Sequence, residues 1–293
     1  MTQREDSFER LLNVGCGRCY HRDWTNVDLV AHGPEVQQYD LRRGLPYESD
    51  SFDGVYHSHV LEHLQPDDAR EMLAQCGRVL REGGVLRVVV PDLEGIAKAY
   101  LDSIQAAESG DPAALANHHW MTLELIDQMV RQRVGGQMGH VMRDPDLINA
   151  PFVRSRIGGE MGQYKNATVK KTVSQRLSRL LVSVRKQIAR VAVTLVDGTT
   201  GLAAYREGRF RQSGEIHRWM YDRISLAATL REVGFDHVRV CQADESTIPN
   251  FDAYQLDRDE AQRTRKPDSL FIEAIKVSTA SQSAASPSAR RVA

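Results

Sequence analysis

Leu11-Leu12-Asn13-Val14-Gly15-Cys16-Gly17 decides how this chain is read. A short apolar run of this kind fits a buried parallel strand, and it feeds a turn with two glycines. Lacking a Cβ, a glycine there lets backbone approach a ligand closely. Asn26-Val27-Asp28 and Tyr39-Asp40-Leu41 follow, each bringing an acid to the end of a strand-like run. A carboxylate at such a strand end can accept hydrogen bonds from both hydroxyls of a ribose. The pattern continues through Ser51-Phe52-Asp53-Gly54-Val55-Tyr56 and His57-Ser58-His59-Val60-Leu61-Glu62-His63-Leu64. It closes on Gly83-Gly84-Val85-Leu86-Arg87-Val88-Val89-Val90-Pro91-Asp92.

The spacing argues against a nicotinamide site. A dinucleotide fingerprint wants a third glycine where Tyr20 stands, and an acid roughly 20 residues on. Asp28 comes sooner than that. Between the strand-like runs, 66–80 reads as a helix with Pro66 at its first position and Asp67, Asp68 and Glu71 near its start. Ala69, Met72, Leu73, Cys76, Val79 and Leu80 recur at helical spacing, and Gly83-Gly84 is the expected stop.

As an ordered set, these motifs resemble those of class I S-adenosylmethionine-dependent methyltransferases, of the type 11 kind associated with bacterial polysaccharide synthesis. The resemblance covers about the first third of the chain. It implies a Rossmann-like, mostly parallel seven-stranded sheet with an antiparallel last strand and a helical insertion before the sixth strand. It also implies S-adenosylmethionine as cofactor, contacted by Asn13, Gly15, Cys16, Gly17, Asp28, Asp40, Leu41 and His57. Asp28 would hold the ribose, Asp40 and Leu41 would border the adenine, and the 57–64 corner would lie beside the transferring methyl group. Asn13 stands where the family more often has an acid.

Composition sets the outer limits. Of 293 residues, 41% are hydrophobic and 26% charged, and the formal net charge is -1, so no global charge favours nucleic acid or membrane. Cys16, Cys19, Cys76 and Cys241 are few and scattered, which suits a reducing compartment. Cys16-x-x-Cys19 lacks the partners that would complete a metal site, and no metal is assigned. No secretory segment or span of about 20 apolar residues is visible. The reading is cytoplasmic.

The chain divides into 1–92, the cofactor half; 93–214, a helical insertion facing substrate; 215–277, the rest of the core; and 278–293, a disordered tail rich in Ser and Ala. Helices are predicted at 93–107 and 113–132. Glycine-rich 134–163 reads either as an active-site lid or as a surface loop, with His140 as a substrate candidate. The stretch 165–196 has no acid and carries apolar residues at helical spacing among its Lys and Arg. Such a helix can lie on an anionic membrane or contact an anionic acceptor. The preferred reading packs its apolar stripe on the protein's own core.

Glu215-Ile216-His217-Arg218-Trp219-Met220-Tyr221-Asp222 resembles a segment of the same methyltransferases. If extended, it places His217, Trp219 and Tyr221 on one face. Trp219 and Tyr221 would then wall a sugar-like acceptor. Asp222 is placed to cap a helix over 223–233, and strands are expected at 237–241 and 270–275. Transfer to an alcohol needs a proton acceptor, and an imidazole suits that role. His59 and His217 are the candidates. The function expected is O-methylation of a glycan or glycan-like hydroxyl. A nucleic-acid or other small-molecule methyltransferase is the first rival. The second is a non-catalytic cofactor-binding scaffold.

Overall fold

The computed structural model describes residues 8–159 and 173–277. The predicted tail 278–293, the stretch 160–163 of the glycine-rich segment and 165–172 of the basic segment lie outside the described residues.

Seven strands form one sheet: β1 Leu11–Val14, β2 Thr25–Asp28, β3 Val36–Gln38, β4 Phe52–Ser58, β5 Leu80–Pro91, β6 Phe235–Cys241 and β7 Ser269–Lys276. Their order is β3-β2-β1-β4-β5-β7-β6. The first five run parallel, while β7 pairs antiparallel with both β5 and β6. This is the Rossmann-like arrangement the sequence led us to expect, with the antiparallel strand wedged between β5 and β6.

One face of the sheet is covered by α1 (Pro66–Val79) and a late helix, Arg223–Glu232. In α1, Ala69, Met72, Leu73, Cys76 and Val79 are buried, which is the face predicted by periodicity. The helix ends at Val79 and the strand starts at Leu80, ahead of Gly83-Gly84. The predicted glycine stop lies inside the strand, and the helix ends because Leu80 is already extended, at φ -71° and ψ 141°. The late helix begins in a capping box: Asp222 accepts from the Ile224 and Ser225 N–H groups at 2.9 and 2.7 Å. A cap of this kind stabilises by about 1 kcal/mol.

The opposite face holds Leu11, Trp24, Tyr56, Val85, Val89, Phe251 and Phe271. Arg87 enters this apolar layer from the middle of β5 and is fully buried. Its Nε donates to Asp257 at 2.7 Å, and its Nη1 to Glu273 at 3.0 Å and to the Glu245 carbonyl at 2.7 Å. The guanidinium also lies 4.6 Å from the centre of the Phe251 ring. One cation thereby ties β5 to β7 and to the segment that joins β6 and β7.

Between β5 and β6 lie α2 (Leu93–Ala107), α3 (Pro112–Val130), α4 (Met138–Val141), α5 (Ala150–Ile157) and a long α6 (Val173–Arg211). Helices α2 to α5 share a core built around fully buried Trp120, with Ile96, Met121, Met138, Met142 and Val153 against it. The indole N–H donates to Glu124, which also takes Arg156. Asp127 accepts from the Gln137 N–H at 2.8 Å, closing the turn at Gly135-Gly136. The described part of the glycine-rich segment therefore carries two short helices rather than a surface loop.

Helix α6 is broken at Gly198, where φ is 63° and ψ -156°. Its apolar side chains Ile188, Val191, Leu195 and Val196 are exposed, Leu195 by 82%. The preferred reading, a stripe packed on the protein's own core, is corrected for these residues, because no described part of the fold covers them. No helix among the described residues is long and apolar enough to cross a membrane. The capping helix Arg223–Glu232 is α7 below.

Candidate functional site

A cleft of about 1250 Å³ opens at the ends of the parallel strands. This is where open α/β sheets place their ligands. Its walls come from the turn after β1, the corner after β4, the end of α5 and the loop between β6 and β7.

The turn after β1 is locked from below. Gly15 and Cys16 donate their N–H groups to the Val27 carbonyl at 2.8 and 3.3 Å. Gly15 has φ +66°, and a Cβ there would sit 2.5 Å from Val60 Cγ2, so both the backbone and the neighbour require glycine. Gly17 also has positive φ, with open space where a Cβ would be. Its N–H donates to Asp28 Oδ2 at 2.9 Å, while Asp28 Oδ1 accepts from Val30 N–H at 2.8 Å. Asp28 therefore fastens the turn to the end of β2, and each oxygen retains acceptor capacity. Cys16 is buried on the cleft wall, and burial pushes its thiol up to about 12, so it is a neutral wall group.

Asn13 is buried at the cleft with its Nδ2 donating to the Cys19 carbonyl. Its Oδ1 accepts nothing. An unsatisfied buried acceptor beside the turn fits a ligand ammonium, the group S-adenosylmethionine would present there. The residues present thus fit the cofactor. Asp40 and Leu41 stand outside the cleft wall. Asp40 caps the 3₁₀ turn Leu41–Arg43 and is paired with Arg42, whose hydrogen bonds hold its carboxyl at about 2; Leu41 packs against the main core.

β4 contributes Tyr56 and Ser58 to the cleft, with His59 just beyond. His57, expected among the cofactor contacts, does not take part. The two-residue period turns it to the other face of the sheet, where it is fully buried and burial lowers it to about 4. His59 adopts φ 54°, a left-handed conformation uncommon outside glycine. Its Nε2 lies 2.8 Å from Ser269 Oγ and its Nδ1 3.1 Å from Glu62 Oε1. Strained residues of this sort cluster at functional sites.

The 215–222 segment departs from expectation. It is not a strand: His217 N–H donates to the Gln128 carbonyl, and Arg218 and Trp219 N–H groups both donate to the Glu62 carbonyl. The two-residue period therefore does not apply. Tyr221 is buried in the main core and bridges to Asp92, Trp219 is 47% exposed, and neither lines the cleft. His217 is 4% exposed and stacks edge-on against His63, with ring centres 4.9 Å apart. It is not on the cleft wall, and burial lowers it to about 3. His140 is exposed and also away from the cleft. Trp219, Tyr221 and His140 are thus corrected as acceptor contacts, and His217 as a base reaching the cleft.

Other residues line the cleft. Tyr20, His21 and Tyr254 supply aromatic wall, with His21 and Tyr254 at 5.2 Å edge-to-face. Arg154 and Ser155 come from α5, and Asp257 receives the Tyr56 hydroxyl at 2.6 Å. The β6–β7 loop supplied no site candidate from the sequence. Its single legible hint was the lone Arg87 within an apolar strand, which requires buried acids elsewhere.

Residues 16–88 match the family model described as a methyltransferase domain. No curated protein sequence matches the chain. Among solved structures, it is similar to the Burkholderia thailandensis 1,6-didemethyltoxoflavin-N1-methyltransferase with bound S-adenosylhomocysteine, at 25% identity over 28% of this chain and 44% of that one, TM-score 0.25. It is also similar to an S-adenosylmethionine-dependent methyltransferase of Archaeoglobus fulgidus, at 15% identity over 92% and 88% of the two chains, TM-score 0.33. The YcgJ protein of Bacillus subtilis shares 20% identity over 29% and 44%, TM-score 0.23. The match spans under half the length of the first and third of these. At such TM-scores none of the three bears on the acceptor. What is similar to a methyltransferase domain is the segment 16–88.

Proposed function

We propose that the chain transfers a methyl group from S-adenosylmethionine to a hydroxyl of a glycan or glycan-like acceptor. The observation that carries this reading is one cleft shared by the locked glycine turn, the unsatisfied Asn13 Oδ1 and the strained His59. Asp28 would hold the ribose hydroxyls and Asn13 the methionine amino group. The acceptor oxygen attacks the methyl carbon as the carbon–sulfur bond breaks, giving a methyl ether and S-adenosylhomocysteine, and His59 takes the hydroxyl proton. Much of the acceleration in such a transfer comes from alignment and exclusion of water. Tyr20, His21 and Tyr254 support a sugar-like acceptor, since aromatic faces stack on the C–H face of a sugar ring.

Calorimetric titration with S-adenosylhomocysteine tests the cofactor reading. Micromolar binding is expected, and a folded protein that binds none would remove it. Labelled methyl transfer to bacterial surface polysaccharides then tests the acceptor. Incorporation into RNA instead of glycan would replace that part of the proposal.

The exposed apolar residues of α6, with Arg185 and Arg190 on the same helix, support a second proposal: peripheral contact with an anionic membrane. Co-sedimentation with phosphatidylserine vesicles is expected to fall by about tenfold in Leu195→Glu/Val196→Glu. Equal binding by the variant, or none by the wild type, would end this reading.

A further inference from the structure

Glu62, His63 and His217 converge at the corner that follows β4. One ligand atom from each lies within 4.8 Å of the other two. Glu62 is fully buried, yet neither of its carboxylate oxygens takes part in a hydrogen bond. The nearest nitrogen is His59 Nδ1, 3.1 Å from Oε1. Nδ1 of the buried His217 also lacks a partner. Leaving a carboxylate without donors in the interior costs several kcal/mol, so an arrangement of this kind calls for a counter-charge.

His63 shows how the cluster is oriented. Its Nδ1 faces the Ile216 carbonyl at 3.1 Å. A carbonyl can only accept, so the proton belongs on Nδ1 and Nε2 carries the lone pair. Nε2 is the nitrogen turned to Glu62, 4.0 Å from Oε1. An imidazole fixed through one nitrogen by a backbone carbonyl, with the other free, is the usual posture of a metal ligand. The backbone supports the same geometry. Arg218 and Trp219 N–H groups both reach the Glu62 carbonyl, which anchors the 215–222 segment to the corner and brings His217 beside Glu62.

We propose that Glu62, His63 and His217 form a binding site for a divalent transition-metal ion, a two-histidine, one-carboxylate set next to His59. Imidazole and carboxylate donors suit zinc, cobalt, manganese or ferrous iron, and three protein ligands leave positions open for water or substrate. Ligands at 2.0–2.1 Å from a tetrahedral ion stand about 3.4 Å apart, so the side chains close by about 1 Å when the ion enters. His59 lines the cleft and touches Glu62, which places the ion's carboxylate ligand one side chain from the acceptor space. From there the ion would bear on the acceptor space through Glu62 and His59, a use that rests on the proposed methyl transfer; the site itself does not.

Cobalt(II) is the probe. Tag-free, full-length protein stripped with chelator is titrated while visible d–d absorption is recorded, and zinc is then added in competition. One equivalent is expected to bind with micromolar or tighter affinity and to be displaced by zinc. Glu62→Gln keeps the shape of the buried side chain and His63→Ala alters a half-buried one, so the two differ in their risk to folding. Each is expected to weaken cobalt binding at least about tenfold while thermal unfolding and S-adenosylhomocysteine binding stay near wild type. The proposal is overturned if wild-type protein that binds S-adenosylhomocysteine takes up neither metal. It is equally overturned if both folded variants bind cobalt as the wild type does. Cobalt uptake without S-adenosylhomocysteine binding would leave the metal site standing and end the methyl-transfer reading instead.

Discussion

Asp28→Ala is expected to lose about two orders of magnitude in affinity for S-adenosylhomocysteine. A hydrogen bond to a charged group contributes about 1.5–3 kcal/mol, and the proposed ribose contact would give the carboxylate two. At 1.4 kcal/mol per factor of ten, even the low end of that range for two bonds gives about 100-fold. The same carboxylate accepts from Gly17 and Val30 N–H groups, so its removal also loosens the turn that shapes the cleft. Asp28→Asn separates these contributions. Its amide oxygen still accepts from Gly17, but the charge is gone, and a loss of about tenfold is expected. Calorimetry on all three proteins, with circular dichroism as a check on folding, makes the measurement. Unchanged affinity in a folded Asp28→Ala would show that the ribose is held elsewhere.

Arg87→Met should cost about 3–5 kcal/mol of stability, the usual consequence of removing one partner from a buried ion pair. Methionine fills much of the volume, so the loss reports on charge more than on packing. Asp257 would be left beside the apolar layer with the Tyr56 hydroxyl, while Glu273 keeps Arg239, Ser246 and Thr247. The sign of the pH effect follows. In the wild type, burial raises Asp257 while Arg87 opposes the rise. Without Arg87 the folded-state value goes higher still. A group whose folded value lies above its unfolded one adds stability as pH falls through the folded value. The deficit of Arg87→Met should therefore be largest near neutrality and shrink in acid. Urea unfolding at several pH values measures it. A deficit under about 1 kcal/mol at pH 7 would mean that apolar and aromatic packing, rather than the cation, holds this layer.

The fold was legible because its signals are local. Three apolar residues among the four before Gly15, the helical recurrence from Ala69 to Val79 and the strand Val85 to Val90 each announce themselves within a short window. The cofactor turn was legible for the same reason. The acceptor side was not, because its geometry depends on partners distant in sequence. Tyr56 meets Asp257 across 201 positions, and His63 meets the Ile216 carbonyl across 153. Trp219 and Tyr221 were misplaced by one assumption, that 215–222 is extended. The N–H groups of His217, Arg218 and Trp219 pair with a helix carbonyl and a corner carbonyl instead, so alternate side chains do not share a face. Glu62 went unweighed because a lone glutamate in a turn usually faces water, and only the tertiary fold shows it buried.

The pairing of β5 with β7 sets what can be removed from this protein. Residues 1–92 hold the glycine turn, Asp28 and His59, and as a stretch of sequence they look like a portable module. Yet the outer edge of β5 is closed by 269–276, through seven paired positions from Val85 to Pro91. A fragment ending at residue 92 would present that edge bare, with the buried residues Val85, Val88, Val89 and Val90 along it. An open apolar edge is a template for strand addition by another copy, and hence for aggregation. Any minimal version of the protein must carry its last strand, however much of 93–214 is pruned.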